Sequence, residues 1–239
     1  MADGVYVLLS CAMSVDGAID DTSDGRLMLS DAADWDRVDE LRASCDALLV
    51  GAGTIRADDP RLVVRSEARR AARRARGVFE DPTKVTLTRR GDVDPRAAFF
   101  VAGDAPKLVY CPAAGDEPTR RRLGRVATVV ALGRGGSHDD DTAAPVDLRL
   151  VLDDLAARDV RRLMVEGGSA THTAFLTGGL VDELRLAIAP FFVGQPNAPR
   201  LVNAGEFPHD TRNRMRLDDV EAIGDLLVVR YLLRRSDSI

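Results

Sequence analysis

From Val5 to Met13 the chain is too continuously apolar for a half-exposed strand and too short for a dependable helix, which predicts a central buried strand. The run stops at Ser14-Val15-Asp16-Gly17. Two shorter runs repeat the pattern and end on glycines. Ala47 to Val50 opens into Gly51-Ala52-Gly53, and Leu163-Met164-Val165 opens into Glu166-Gly167-Gly168. Further strands are predicted at Lys84 to Thr88, Leu108 to Cys111, Val126 to Leu132 and Leu184 to Val193, the last broken by Pro190. A helix is predicted after Ser30 and Asp31, both good N-cap residues, because Trp35, Val38, Leu41, Arg42 and Cys45 recur at helical spacing. Leu148, Val151, Leu152 and Leu155 mark a second helix, and the segment from Ser169 to Thr177 a third. Val220 to Ile223 and Leu226 to Leu233, around Gly224-Asp225, have the form of a closing antiparallel hairpin. Strands alternating with helices early and a hairpin late indicate an α/β fold on a mixed sheet. A chain of 239 residues is long enough for one large core, so residues 1–239 are read as a single domain. The stretch from Gly133 to Pro145 has no periodicity and reads as a loop, short for a domain linker.

Charge and composition exclude several classes of function. A formal net charge of −5 opposes binding to nucleic acid or to an anionic lipid surface. Seven arginines crowd the interval from Arg61 to Arg76, but no aromatics are interleaved with them. With Glu67 and its alanine-rich spacing, the interval reads as a solvated helix or excursion. No run reaches the ~18 apolar residues of a membrane span, and no basic segment precedes the first apolar run, so a cytoplasmic protein is expected. Cys11, Cys45 and Cys111 form no CxxC pair and read as buried thiols of a reducing compartment. His138, His172 and His209 lack metal-ligand spacing, and no metal site is expected. No G-x-S-x-G elbow is present for serine hydrolase chemistry.

Two junctions carry chemistry. At Glu166-Gly167-Gly168-Ser169-Ala170-Thr171 a buried strand passes into a helix, so main-chain N–H groups face outward with no side chain over the glycine pair. A nucleotide diphosphate can approach such a backbone, with Ser169 and Thr171 as hydroxyl donors; the plain alternative is a turn that needs a positive φ. At the second junction, Gly51-Ala52-Gly53 lacks the third glycine of the dinucleotide fingerprint, because Arg56 stands there. The same segment places Gly53, Thr54 and Asp58 at the carboxyl end of a buried strand, where open α/β sheets bind ligands. Arg42 and Arg65 carry the charge to clamp a substrate phosphate. Asp58 and Glu166 are the carboxylates nearest the implied site. Either would orient substrate or relay a proton through water, and capping is the alternative for both.

Taken in order, Ser14-Val15-Asp16-Gly17, Leu41-Arg42 with Asp46-Ala47, Gly51 through Pro60 with Leu62 and Arg65, Val165 through Gly168, Leu180 through Leu184 and Ala189-Pro190 resemble the reductase domain of the riboflavin-biosynthesis deaminase-reductases, the RibD C-terminal family, and its standalone reductases. The resemblance spans nearly the whole chain. It implies a dihydrofolate reductase-like three-layer α/β/α fold with a central, mostly parallel mixed sheet, NADPH as hydride donor, and commonly a homodimer. The deaminase half is lacking, which implies a monofunctional reductase. By position, Ala12, Thr54, Asp58 and the segment from Gly168 to Ala174 resemble the NADPH contacts, and Arg42, Leu62, Arg65 and Glu166 the substrate contacts. Thr88, Arg89 and Arg90 fall where such folds often meet the adenosine 2′-phosphate. The chain departs from the family pattern near Arg26 to Leu29, where riboflavin reductases usually carry a serine and, two residues on, a tryptophan; Arg26 and Met28 occupy those places. The implied reaction is that of 5-amino-6-(5-phosphoribosylamino)uracil reductase, with hydride passing to the ribosyl C1′. A same-fold NADPH reductase of a dihydropteridine, dihydrofolate or specialised-pathway substrate is the alternative, and a non-catalytic nucleotide sensor a further one.

Overall fold

The computed structural model describes residues 4–23, 25, 27–133 and 146–233. Arg26, His138 and most of the predicted loop up to Pro145 lie outside the described residues. Nine strands occur among the described residues: β1 (Tyr6–Ser14), β2 (Ala47–Gly51), β3 (Thr83–Leu87), β4 (Lys107–Cys111), β5 (Thr128–Ala131), β6 (Arg162–Gly167), β7 (Glu183–Ala189), β8 (Arg216–Ile223) and β9 (Leu226–Leu232). The α-helices are α1 (Ala32–Ser44), α2 (Ala52–Asp58), α3 (Glu67–Ala75), α4 (Ala98–Val101), α5 (Asp116–Leu123), α6 (Leu148–Ala157) and α7 (Ser169–Thr177). Residue contacts gather the chain into two compact units, Met1–Val5 with Asp39–Met164, and Tyr6–Val38 with Val165–Ile239.

The first unit holds the order β5-β4-β3-β2, every pairing parallel. Its strands are the short apolar runs of the sequence, and Leu48, Leu49, Val85 and Val109 are wholly buried. Asp46 fixes where β2 begins: its carboxylate accepts the amides of Arg161 and Arg162, both at 2.8 Å. In the second unit β1 pairs with β7 in parallel, β7 with β9 antiparallel, and β9 with β8 antiparallel. Val7, Leu8 and Leu9 of β1 are wholly buried, as their unbroken apolar run requires. The expected α/β fold, with a mostly parallel set of strands and a C-terminal antiparallel hairpin, is what these pairings form. Asp31 caps α1 as read, accepting the amide of Asp34 at 2.8 Å.

Three differences have physical causes. β7 ends at Ala189 instead of Val193, since Pro190 has no N–H for the ladder. β8 begins at Arg216, before the predicted Val220, because its outer face is solvated and its polar residues hide the strand period. The Gly51-Ala52-Gly53 segment is a helix start and not an extended loop, with α2 beginning at Ala52 and Gly53 exposed in its first turn. The later part of the arginine interval forms α3, whose four arginines are engaged within the protein. Arg69 pairs with Asp39 at 3.0 Å, Arg70 with Glu80 at 2.8 Å and Arg74 with Glu67 at 2.9 Å. Buried Arg73 donates to the carbonyls of Phe79, Ala43 and Cys45 at 2.9, 2.8 and 2.7 Å.

Candidate active site

In the first unit, the parallel register puts Gly51 opposite Leu87, so the chain leaves β2 and β3 side by side. Gly53 and Thr54 of α2 therefore lie at the same sheet edge as the Thr88–Arg90 turn. Arg56 ties the two together by an ion pair to Asp92 at 3.1 Å. Thr88 is buried, and its hydroxyl is committed to the turn, donating to Asp92 at 3.1 Å and accepting from the Gly91 amide at 3.0 Å. What the turn presents is the half-buried Arg89 and the exposed Arg90. Asp58 is the exposed last residue of α2, and Asp59 after it takes the left-handed conformation that ends the helix.

Between Pro60 and Ser66 the chain has no regular structure, yet side chains from elsewhere in the unit hold several of its main-chain groups. Leu62, with φ +46°, and Val64 are core residues, 2% and 1% exposed, while Arg61 and Arg65 are exposed. Arg42 reaches this segment from α1, with Nη1 donating to the Val63 carbonyl at 3.4 Å. Asp81 accepts the Val64 amide at 2.7 Å. Asp39 accepts the amides of Arg65 and Ser66 at 2.5 and 3.1 Å. Arg42, Leu62 and Arg65 are thus brought together as the sequence suggested, through side chains that it did not single out.

In the second unit the site candidates lie along β6 and α7, with Ala12 on the neighbouring β1. Glu166 is half-buried, and Gly167, joined to Gly168 by a cis peptide bond, has φ +137°, a region L side chains rarely adopt. Gly168 is the N-cap of α7 with no side-chain cap, and the amides of Ser169, Ala170 and Thr171 have no acceptor within the helix. Three main-chain donors are thus left without an intrahelical acceptor at the start of α7. Ser169 does not join them with a free hydroxyl: its Oγ donates to the Arg200 carbonyl at 2.5 Å. Thr171 is buried. Ala12 packs against Leu29, Ala189 and Leu226.

His172, read only as lacking metal-ligand spacing, is wholly buried beneath this turn. Its Nδ1 lies 3.2 Å from the Leu201 carbonyl, which only accepts, so Nδ1 carries the hydrogen and Nε2 is a bare acceptor. Nε2 has no partner and lies 3.8 Å from where a Cβ on Gly167 would be. Burial pulls the imidazole down to about 4, so it stays neutral at physiological pH. Thr173 and Ser169 complete the helix face: the Thr173 hydroxyl donates to the Ser169 carbonyl at 2.7 Å and accepts from the Asn203 amide at 2.8 Å. Lys84 was missed as well, although a lysine inside an apolar strand run is itself a signal.

Residues 5–229 match the family model described as the RibD C-terminal domain. The chain belongs to that family. It is 34% identical over 230 residues to the 2,5-diamino-6-ribosylamino-4(3H)-pyrimidinone 5′-phosphate reductase of Archaeoglobus fulgidus, covering 96% of this chain and 99% of the relative. The enzyme of the same name from Methanothermobacter thermautotrophicus is 37% identical over 233 residues, with 96% and 98% covered. The riboflavin biosynthesis protein RibD of Bacillus amyloliquefaciens is 30% identical over 203 residues, 84% of this chain but 50% of that protein. Among solved structures, RibD of Acinetobacter baumannii superposes with a TM-score of 0.75 at 24% identity, covering 98% of this chain and 59% of that one. A pyrimidine reductase-like protein of Corynebacterium diphtheriae gives 0.69 at 21% identity, with 97% and 93% covered. These structures share the α/β fold described above. No described helix is long and apolar enough to cross a membrane.

Proposed function

We propose that this chain is an NADPH-dependent reductase of a ribosylaminopyrimidine 5′-phosphate, and that residues 1–239 serve as one reductase domain. The observation that carries this reading is the match, over nearly the full length of both chains, to two enzymes named for the reduction of 2,5-diamino-6-ribosylamino-4(3H)-pyrimidinone 5′-phosphate. The diamino compound is accordingly the first substrate to test, with 5-amino-6-(5-phosphoribosylamino)uracil the second. In the reaction the open-chain imine accepts hydride at C1′ and a proton at nitrogen, giving the ribitylamine and the oxidised nicotinamide. When bound, the cofactor supplies the hydride from its C4; the chain's part is placement.

The residues fit such a dinucleotide in kind. The unpartnered amides of Ser169, Ala170 and Thr171 beside Gly167 and Gly168 suit a diphosphate. Arg89 and Arg90 supply guanidinium charge suited to a 2′-phosphate, beside Thr88, Gly53 and Thr54 at their sheet edge, and Ala12 is assigned to the NADPH contacts. Arg42, Leu62 and Arg65 are assigned to the substrate with its phosphate, together with Arg26 and Glu166; Asp58 and Glu166 are the carboxylates assigned to orientation or proton relay. A homodimer is part of the proposal, supported by β8, an edge strand with exposed Leu217 and Val220 beside exposed Leu227 of β9. Cys11, Cys45 and Cys111 form no disulfide, which suits the cytoplasm.

The test is NADPH oxidation followed by absorbance with the diamino compound, the uracil compound and dihydrofolate. Turnover with either ribosylaminopyrimidine phosphate and none with dihydrofolate is expected. Turnover with dihydrofolate alone would overturn the reading. Replacing NADPH by NADH tests the arginines, since Arg89→Ala with Arg90→Ala should erode the preference for the phosphorylated cofactor.

A further inference from the structure

Lys84 stands within β3 and is wholly buried. A lysine out of water needs acceptors for its three ammonium hydrogens. It has three: Nζ donates to the carbonyls of Arg61 at 2.5 Å, Ala102 at 2.6 Å and Phe99 at 3.2 Å. Two of these carbonyls belong to α4 and its C-cap, and the third opens the Arg61–Ser66 segment. Four more main-chain groups of that segment are taken by side chains: the Val63 carbonyl by Arg42, the Val64 amide by Asp81, and the Arg65 and Ser66 amides by Asp39. Because Leu62 and Val64 drop into the core, Arg61 and Arg65 are turned to solvent. No helix or strand fixes this segment; ionised side chains do.

We propose that Lys84 is a positioning residue for substrate binding: by gathering the Arg61 carbonyl onto α4 it sets the Arg61–Ser66 segment so that Arg65 meets the substrate 5′-phosphate in one place. The inference rests on the assignment of Arg65 to that phosphate. An apolar side chain in the same volume would leave all three carbonyls, the buried one of Phe99 among them, without this donor, and a neutral amine has only two N–H groups for them. Burial pulls Lys84 down to about 8; Lys107 on β4 and Arg42 on α1 act in the same direction and Asp81 opposes them. The third hydrogen bond is therefore given up at mildly alkaline pH. Between that value and the 10.5 of a free lysine the unfolded chain binds more protons, so the Lys84 contribution to stability rises with pH there. A slackening of the segment above pH 8 is thus separable from unfolding.

The experiment compares Lys84→Met, Lys84→Arg and Arg65→Ala using the phosphorylated substrate and its dephosphorylated nucleoside. Lys84→Met should raise KM for the phosphorylated compound ~10-fold, with kcat, NADPH affinity and the nucleoside KM held within about twofold. Hydrogen exchange at the Val64, Arg65 and Ser66 amides should quicken in the same variant. Lys84→Arg, which keeps its charge at every accessible pH, should restore KM to within about threefold and lack the rise in KM expected of the wild type above pH 8. If Arg65→Ala raises KM while Lys84→Met changes neither KM nor exchange, the Lys84 assignment is overturned and the phosphate assignment stands. If Arg65→Ala leaves KM unchanged, the phosphate assignment itself fails and the role of Lys84 falls with it. Should Lys84→Met not fold, the pH profiles of the wild type and Lys84→Arg decide, and a wild-type KM flat through pH 8 overturns the proposal.

Discussion

The Arg61–Ser66 segment, between α2 and α3, and the Glu166–Ser169 junction, between β6 and α7, both link regular elements, and they are built on opposite plans. The first surrounds its main chain with ionised side chains, Lys84, Arg42, Asp81 and Asp39, and shows a side chain, Arg65, to solvent. The second uses neutral contacts, from His172, Ser169 and Thr173 to the main chain of residues 200–203, and leaves main-chain amides uncommitted at the start of α7. A phosphate held by a guanidinium needs that group fixed in place, which demands strong bonds behind it. A phosphate held by amides needs only that nothing cover them.

The contrast breaks first at Asp39, whose buried carboxylate serves the amides of Arg65 and Ser66 and Nη1 of Arg69. Asp39→Ala should cost about 3 to 5 kcal/mol in denaturant unfolding, because it strands charged and polar partners together. At temperatures where the variant stays folded, NADPH affinity should be kept; a loss below 1 kcal/mol would show the bracing to be ornamental. Next comes acid. His172 is held near 4 in the folded chain against 6.5 when free, so stability is full above pH 6.5 and declines as pH falls toward 4, by about 3 kcal/mol over the interval. His172→Asn keeps an N–H for the Leu201 carbonyl without a titrating ring. Its unfolding free energy should lose about 3 kcal/mol less over that interval than the wild type's, and an identical pH dependence would acquit the histidine.

Gly168→Val probes the amide face directly, since φ −89° at this position is open to any residue. NADPH affinity should fall by ~30-fold, equivalent to about 2 kcal/mol, with the melting temperature little changed. Unaltered affinity by calorimetry would reduce the glycine pair to a turn. The smallest effect is expected from Ser169→Ala, which loses one hydrogen bond to the Arg200 carbonyl and should cost about 1 kcal/mol of stability. If cofactor affinity falls more than stability does, Ser169 is a ligand contact after all.

The apolar runs that became β1, β2 and β6 were legible because burial on both faces leaves an uninterrupted signature, and Asp31 was legible as a cap because it immediately precedes a periodic stretch. The short helices α4 and α5 were not, for Ala98–Val101 is too brief to show a period and Asp116–Leu123 offers few apolar positions to mark a face. At the candidate site, the glycine pair and the Arg42, Leu62, Arg65 group were legible as candidates, since each lies in a motif. The braces behind them were not, because Asp39, Asp81 and Lys84 act across 17 to 26 residues of sequence and carry no local pattern. Ser169 misled for a related reason: a hydroxyl at a helix start looks available until the strand-like segment around Arg200 folds against it.

The short stretch bearing Arg65 does not own its shape. Its conformation is written into four residues elsewhere in the chain: Asp39 and Arg42 on α1, Asp81 just before β3, and Lys84 within β3. Transplanting those few residues from one reductase into another, as an engineer seeking a new substrate would do, should therefore yield a floppy insertion and no altered preference unless the remote quartet travels with them.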